Sequence, residues 1–164
     1  MPPLALLAVK IAFAFAALSV AASAVAPHLR RTERTRALQA LLWVHVGRFV
    51  PLAILAPGQS DPAIPRAVLR TIAWGDFASA LLALCAIVSL RARGQRAAAW
   101  VWLFFLVGSV DIVVALAVGL GFGVYEHALG VGWYVLSVYV PLVCVAQAML
   151  GVALVRPRAF GRLA

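Results

Sequence analysis

Charge is scarce in this chain. Aspartate, glutamate, lysine and arginine make up 12% of its 164 residues, against 65% hydrophobic residues. A water-soluble domain is about a quarter charged and about half apolar, so that class is excluded. Disorder is excluded as well, because disordered segments are poor in apolar residues. Cysteine is nearly absent. Cys85 and Cys144 are the only two and both sit inside apolar runs, which rules out a secreted disulfide scaffold. Acidic residues are the rarer sign, five against fourteen basic ones, for a formal net charge of +9. That excess invites a nucleic-acid partner, yet the chain has no polar surface on which to build such an interface. The arginines read instead as topology markers and as anchors for anionic headgroups, so membrane lipids are expected partners and nucleic acid is not.

Catalytic and metal-binding patterns are missing too. There is no H-E-x-x-H, no paired histidines, no C-x-x-C and no G-x-S-x-G elbow. His28, His45 and His127 fall in an inner loop, a span and an outer loop, so no metal or other cofactor is expected. Ser109 stands two residues from Asp111, and such neighbours point to different helix faces. Gly119, Gly121 and Gly123 follow an apolar run and read as a helix terminator rather than a phosphate loop. Gly119 and Gly123 also fit a small-xxx-small packing face.

What the sequence does contain is apolar runs of spanning length. A transmembrane helix needs roughly 20 mostly apolar residues. Five stretches qualify: 3–26, 38–56, 70–90, 97–120 and 131–155. They are too long and too uniformly apolar for strands, and backbone groups in hydrocarbon must pair internally. The fold class is therefore all-α, a single membrane domain over 1–164 built as a five-helix bundle. Asp61 is placed to N-cap the third helix, with Pro62 at its first position. Trp100, Trp102 and Trp133 lie near span ends as interfacial anchors.

Arginines set the orientation. Ten of thirteen fall in the first loop, the third loop and the C-terminal tail (Arg30, Arg31, Arg34, Arg36; Arg91, Arg93, Arg96; Arg156, Arg158, Arg162). The positive-inside rule then puts the N-terminus outside and the C-terminus in the cytoplasm of a cell inner membrane. Lys10, the following apolar run and Ala24-Val25-Ala26 imitate a signal peptide. Cleavage there would leave Pro27 after the cut and set the remaining arginine-rich segments against the charge rule, so the segment is expected to stay.

Five ionisable residues lie within the spans: Lys10, His45, Arg48, Asp76 and Asp111. Buried charge in a bilayer is costly and normally faces the bundle interior with a partner. At 1.5 Å per residue from the outer end of each span, Lys10 lies ~10 Å deep, Arg48 ~12 Å, Asp76 ~9 Å and Asp111 ~15 Å. Two cations and two anions from four helices thus share one slab in the outer half. The expectation is a near-neutral cluster in which Arg48 and Lys10 face Asp76 and Asp111. Lys10 also has a stem long enough to snorkel away. His45 lies one turn from Arg48 on the same face. Gly108, Asp111 and Ala115 form a small-residue face on the fourth helix, and Tyr134, Ser137, Pro141, Cys144 and Gln147 a polar stripe on the fifth. Glu126 and His127 form a solvated pair in the outer loop.

Some of these residues resemble a known pattern. Ile72-Ala73-Trp74-Gly75-Asp76-Phe77-Ala78-Ser79 is similar to the G-D helix of a group of small, uncharacterised bacterial polytopic membrane proteins. Gly108-Ser109-Val110-Asp111 resembles that group's following G-x-x-D helix. Arg48 matches an arginine ahead of the G-D helix, and Val140-Pro141 matches a proline-bearing last helix. Trp74 and Ser79 depart from the small residues of the pattern, and Val145 replaces a second proline. The group has no established activity, so the resemblance points to Arg48, Asp76 and Asp111 without supplying a function.

Three functions fit these features. In the first, Arg48, Asp76, Asp111, His45, Lys10 and Tyr134 bind or conduct a small solute, ion or proton. In the second, the chain is a structural or regulatory subunit of a larger membrane complex, or a homo-oligomer. The third, a membrane-embedded enzyme acting on a lipid or quinone, has no catalytic spacing behind it.

Overall fold

A computed structural model describes residues 3–130 and 132–156. Pro157, Arg158 and Arg162 of the tail, and Val131 at the expected start of the fifth span, lie outside the described residues. Five helices are long and apolar enough to cross a membrane. We label them α1 (Pro3–Arg31), α2 (Arg34–Val46, continued as a 3₁₀ segment Gly47–Leu55), α3 (Arg66–Arg91), α4 (Ala97–Gly121) and α5 (Gly132–Val155). No strand occurs among the described residues.

Faces with spacings of three and four residues build the bundle. On α3, Leu69, Ala73, Ala80, Ala83 and Ile87 are buried, and Asp76 falls in the same series. The alanines let neighbours approach closely, which in hydrocarbon replaces the hydrophobic drive as the source of packing energy. On α4 the series is Val101, Phe104, Gly108, Asp111 and Ala115, and on α2 it is Leu38, Leu42, His45 and Arg48. Leu42, Ile87, Val101, Phe104 and Leu150 belong to one buried apolar cluster in the bundle interior.

The boundaries differ from the sequence expectation in physically readable ways. α1 runs straight through Pro27 to Arg31, so the expected first loop shrinks to two residues, Thr32 and Glu33. Basic His28, Arg30 and Arg31 in its last turn complement the helix dipole. α3 begins at Arg66 behind Pro65, so Asp61 is not its N-cap. Asp61 Oδ1 instead accepts the Ala63 N–H at 2.9 Å and closes a turn. Gly123, with φ +58°, takes the left-handed conformation just after α4, as the terminator role requires.

Two helices are irregular at prolines. Pro51 cannot donate to the Gly47 carbonyl, and α2 tightens into nine residues of 3₁₀ helix around it. Pro141 cannot donate to the Ser137 carbonyl, and Val135–Tyr139 just before it forms a π segment. The two irregular segments touch. Tyr139 Oη donates to the Val44 carbonyl at 3.0 Å, and a Cβ at Gly47 would come within 2.8 Å of that hydroxyl.

At the loop end of the bundle, the Asp61 N–H donates to the Ala128 carbonyl at 2.9 Å, and His127 Nδ1 lies 3.3 Å from Asp61 Oδ2. His127 therefore pairs across the loops with Asp61, not with Glu126. The Ala63 amide and then His127 hold the Asp61 carboxyl below its usual range. A carboxylate of lowered pKa stabilises its surroundings above the ordinary range and loses that effect as pH falls through the lowered value. Exchange protection of the Ala63 and Asp61 amides should accordingly drop on strong acidification in the native chain. It should be low and flat with pH in Asp61→Ala, and undiminished protection of the native chain in acid would contradict the latch.

A buried arginine held by two carboxylates

Arg48 is 1% exposed, a fully charged side chain in the centre of an apolar bundle. Its helix face is set by the α2 series, and each of its three nitrogens is engaged. Nε donates to Asp76 Oδ1 at 2.7 Å, Nη1 donates to the Gly108 carbonyl at 3.3 Å, and Nη2 donates to Asp111 Oδ2. Ser79, wholly buried one turn along α3 from Asp76, donates its hydroxyl to Asp111 Oδ2 at 3.3 Å. Charge-assisted bonds of this kind are roughly twice as strong as neutral ones. The guanidinium thus ties α2 to α3 and α4.

Two glycines make room for it, each opposite a charge from another helix. A Cβ on Gly75 would overlap Asp111 Oδ1, and a Cβ on Gly108 would sit 3.2 Å from Arg48 Nη1. The Gly75-Asp76 and Gly108-x-x-Asp111 spacings therefore interlock: the glycine of α3 receives the aspartate of α4, and the glycine of α4 receives the arginine of α2.

Of the six candidate residues, three meet directly: Arg48, Asp76 and Asp111. His45 lies beside them but outside the hydrogen-bond set. It is fully buried, tilted against Phe104 with ring centroids 4.9 Å apart, and neither ring nitrogen has a hydrogen-bond partner among the described residues. Lys10 is a correction. It is exposed on α1 with its ammonium 5.7 Å from the centre of the Trp133 ring, a cation–π contact away from the cluster. Tyr134 is a second correction, being 74% exposed. The π segment adds a residue between Tyr134 and Pro141, and one residue rotates a helix face by about 100°. Tyr139 takes the inward place. Ser137 and Gln147 stay buried, with Gln147 Nε2 donating to the Phe105 carbonyl at 2.9 Å and to Ser109 Oγ at 2.8 Å.

Ser79, Tyr139, Gly47 and Gly75 complete the neighbourhood. Ser79 carried a signal, standing three residues after Asp76 on one helix face. Tyr139 carried none, because the π register is invisible in an all-apolar run.

A cavity of about 140 Å³ adjoins the cluster. Leu7, Ile11, Ile54, Leu136 and Val143 wall it, Arg48 and Asp76 form its charged end, and its other end reaches Gly119, Val124 and Leu129. Asp76 keeps 17% of its side chain exposed, against 11% for Asp111. Asp76 is thus the carboxylate the cavity reaches. Among the described residues no three His, Cys, Asp or Glu side chains gather to hold a metal ion.

Fold and site together define an all-helical bundle of five potential membrane-crossing helices stapled by a buried arginine–dicarboxylate cluster. The chain belongs to the family described as Domain of unknown function (DUF8737), which matches residues 5–155. No curated protein and no solved structure matches it.

Proposed function

We propose that this is a multi-pass protein of a bacterial cytoplasmic membrane, N-terminus outside, that binds and moves a proton or small cationic solute at Arg48, Asp76 and Asp111. The observation that carries this reading is the cluster's charge balance. One guanidinium faces two carboxylates, a formal charge of −1. An unbalanced charge in surroundings of low dielectric constant costs on the order of several kcal/mol. One proton or one cation removes the imbalance, and the cavity offers a route to Asp76. Past the cluster, buried Leu42, Ile87, Phe104 and Leu150 belong to an apolar core, and in this reading release on that side requires movement. The adjoining 3₁₀ and π segments are the elements suited to it, since such segments recur at hinges and functional sites.

Proteoliposomes given a pH gradient should show protein-dependent proton or solute flux that Asp111→Asn abolishes. Flux unchanged by that substitution would refute the proposal. The pinning of Arg48 by α3 and α4 also favours a second reading, a structural or regulatory subunit in which the charges fix assembly. Its mark is co-purification of the full chain with a larger membrane partner.

A further inference from the structure

We infer that the cavity beside the cluster binds a small organic ammonium ion, an apolar body of about five to eight non-hydrogen atoms bearing one positive nitrogen. This inference rests on the charge balance that underlies the proposed function and names the class of solute.

Three observations converge on that chemistry. The first is sign. Arg48 is the cationic group at the cavity's end, and its three nitrogens already serve Asp76, Gly108 and Asp111. Two guanidinium N–H groups remain, but an anion on them would add to an existing negative charge. A cation on Asp76 neutralises that charge and leaves the Arg48 bonds in place. The second is the wall. Asp76 is the one carboxylate lining the cavity, and the Tyr139 hydroxyl is committed to the Val44 carbonyl. Calcium takes six to eight oxygen ligands and magnesium an octahedral set, which these walls do not provide. A nitrogen that needs one carboxylate, carried on a body that needs apolar contact, matches what is there. The third is size. A cavity near 150 Å³ lined by aliphatic side chains holds benzene, so about 140 Å³ takes a molecule of that scale. The far end lies by Val124 and Leu129, next to the loops that Asp61 and His127 hold together.

An isosteric series provides the test. Pentylamine, pentanol and pentanoate are titrated at neutral pH into the full chain in nanodiscs, with empty nanodiscs as the background, and followed by saturation-transfer NMR. Pentylammonium should bind with one site at least tenfold tighter than pentanol, and pentanoate should not bind. Asp76→Asn should erase the tenfold preference while keeping the pentanol affinity, which also reports that the variant is folded. Ala115→Leu, at a wall residue that makes none of the cluster's hydrogen bonds, narrows the cavity and should abolish both. Equal affinity of the amine and the alcohol, preferred binding of pentanoate, or no binding of any probe overturns the inference. Infrared difference spectra of the same samples across a pH titration follow the carboxyl groups directly. If a carboxyl band sensitive to Asp76→Asn or Asp111→Asn titrates while the amine does not bind, the solute class fails and the proton site stands. If neither occurs, both fail.

Discussion

Arg48→Ala is expected to cost about 3–5 kcal/mol of stability, the range for removing one partner of a buried ion pair. The loss is that of a broken buried ion set, because two carboxylates remain with no cation between α3 and α4. Thermal or denaturant unfolding in detergent, followed by tryptophan fluorescence, measures it. Arg48→Met combined with Asp76→Asn and Asp111→Asn should recover most of the loss, since removing all members of a buried ionic set is often neutral. A single variant as stable as the native chain would show that the charges do not hold the bundle.

Gly75→Ala should be the next most damaging change, although two effects oppose each other. Alanine in a helix interior gains up to about 1 kcal/mol over glycine. Its methyl, however, takes the space of Asp111 Oδ1. Displacing that carboxylate breaks its bonds to Arg48 and Ser79, and hydrogen bonds to charged groups are worth about 1.5–3 kcal/mol each. The clash wins, for a net loss of about 2–5 kcal/mol. Gly119→Ala is the matched control, because open space surrounds that glycine in α4. It should be neutral or slightly stabilising, and equal losses at the two positions would argue against a clearance role for Gly75.

The five apolar runs were legible because hydrocarbon admits so few backbone solutions, and the structure contains five helices of sufficient length and apolarity. The juxtaposition of Arg48, Asp76 and Asp111 was legible for a related reason. Charges inside apolar runs have few places to go, and counting residues from the span ends put these three near one height. Direction around the axis was harder to read. On α3 and α4, small residues mark the inward face and so point the aspartates. α1 is apolar on every side, so nothing in its sequence says that Leu7 is buried while Lys10 faces Trp133. Uniform helical rise was the other false premise. The 3₁₀ segment rises about 2.0 Å per residue and sets Arg48 farther from the Leu55 end of its helix than the count suggests. The π segment turns Tyr134 outward and Tyr139 inward. Prolines 51 and 141 announced a disturbance without fixing its kind.

The interlocked glycines carry a consequence for descent. Gly75 exists for Asp111 and Gly108 for Arg48, and the members of each pair sit on different helices, tens of residues apart. Neither partner is free to drift alone: a bulkier residue in the notch evicts the charge, and a lost charge leaves the notch a void. Relatives that abandon one member should therefore abandon the other, so that the staple is inherited whole or discarded whole.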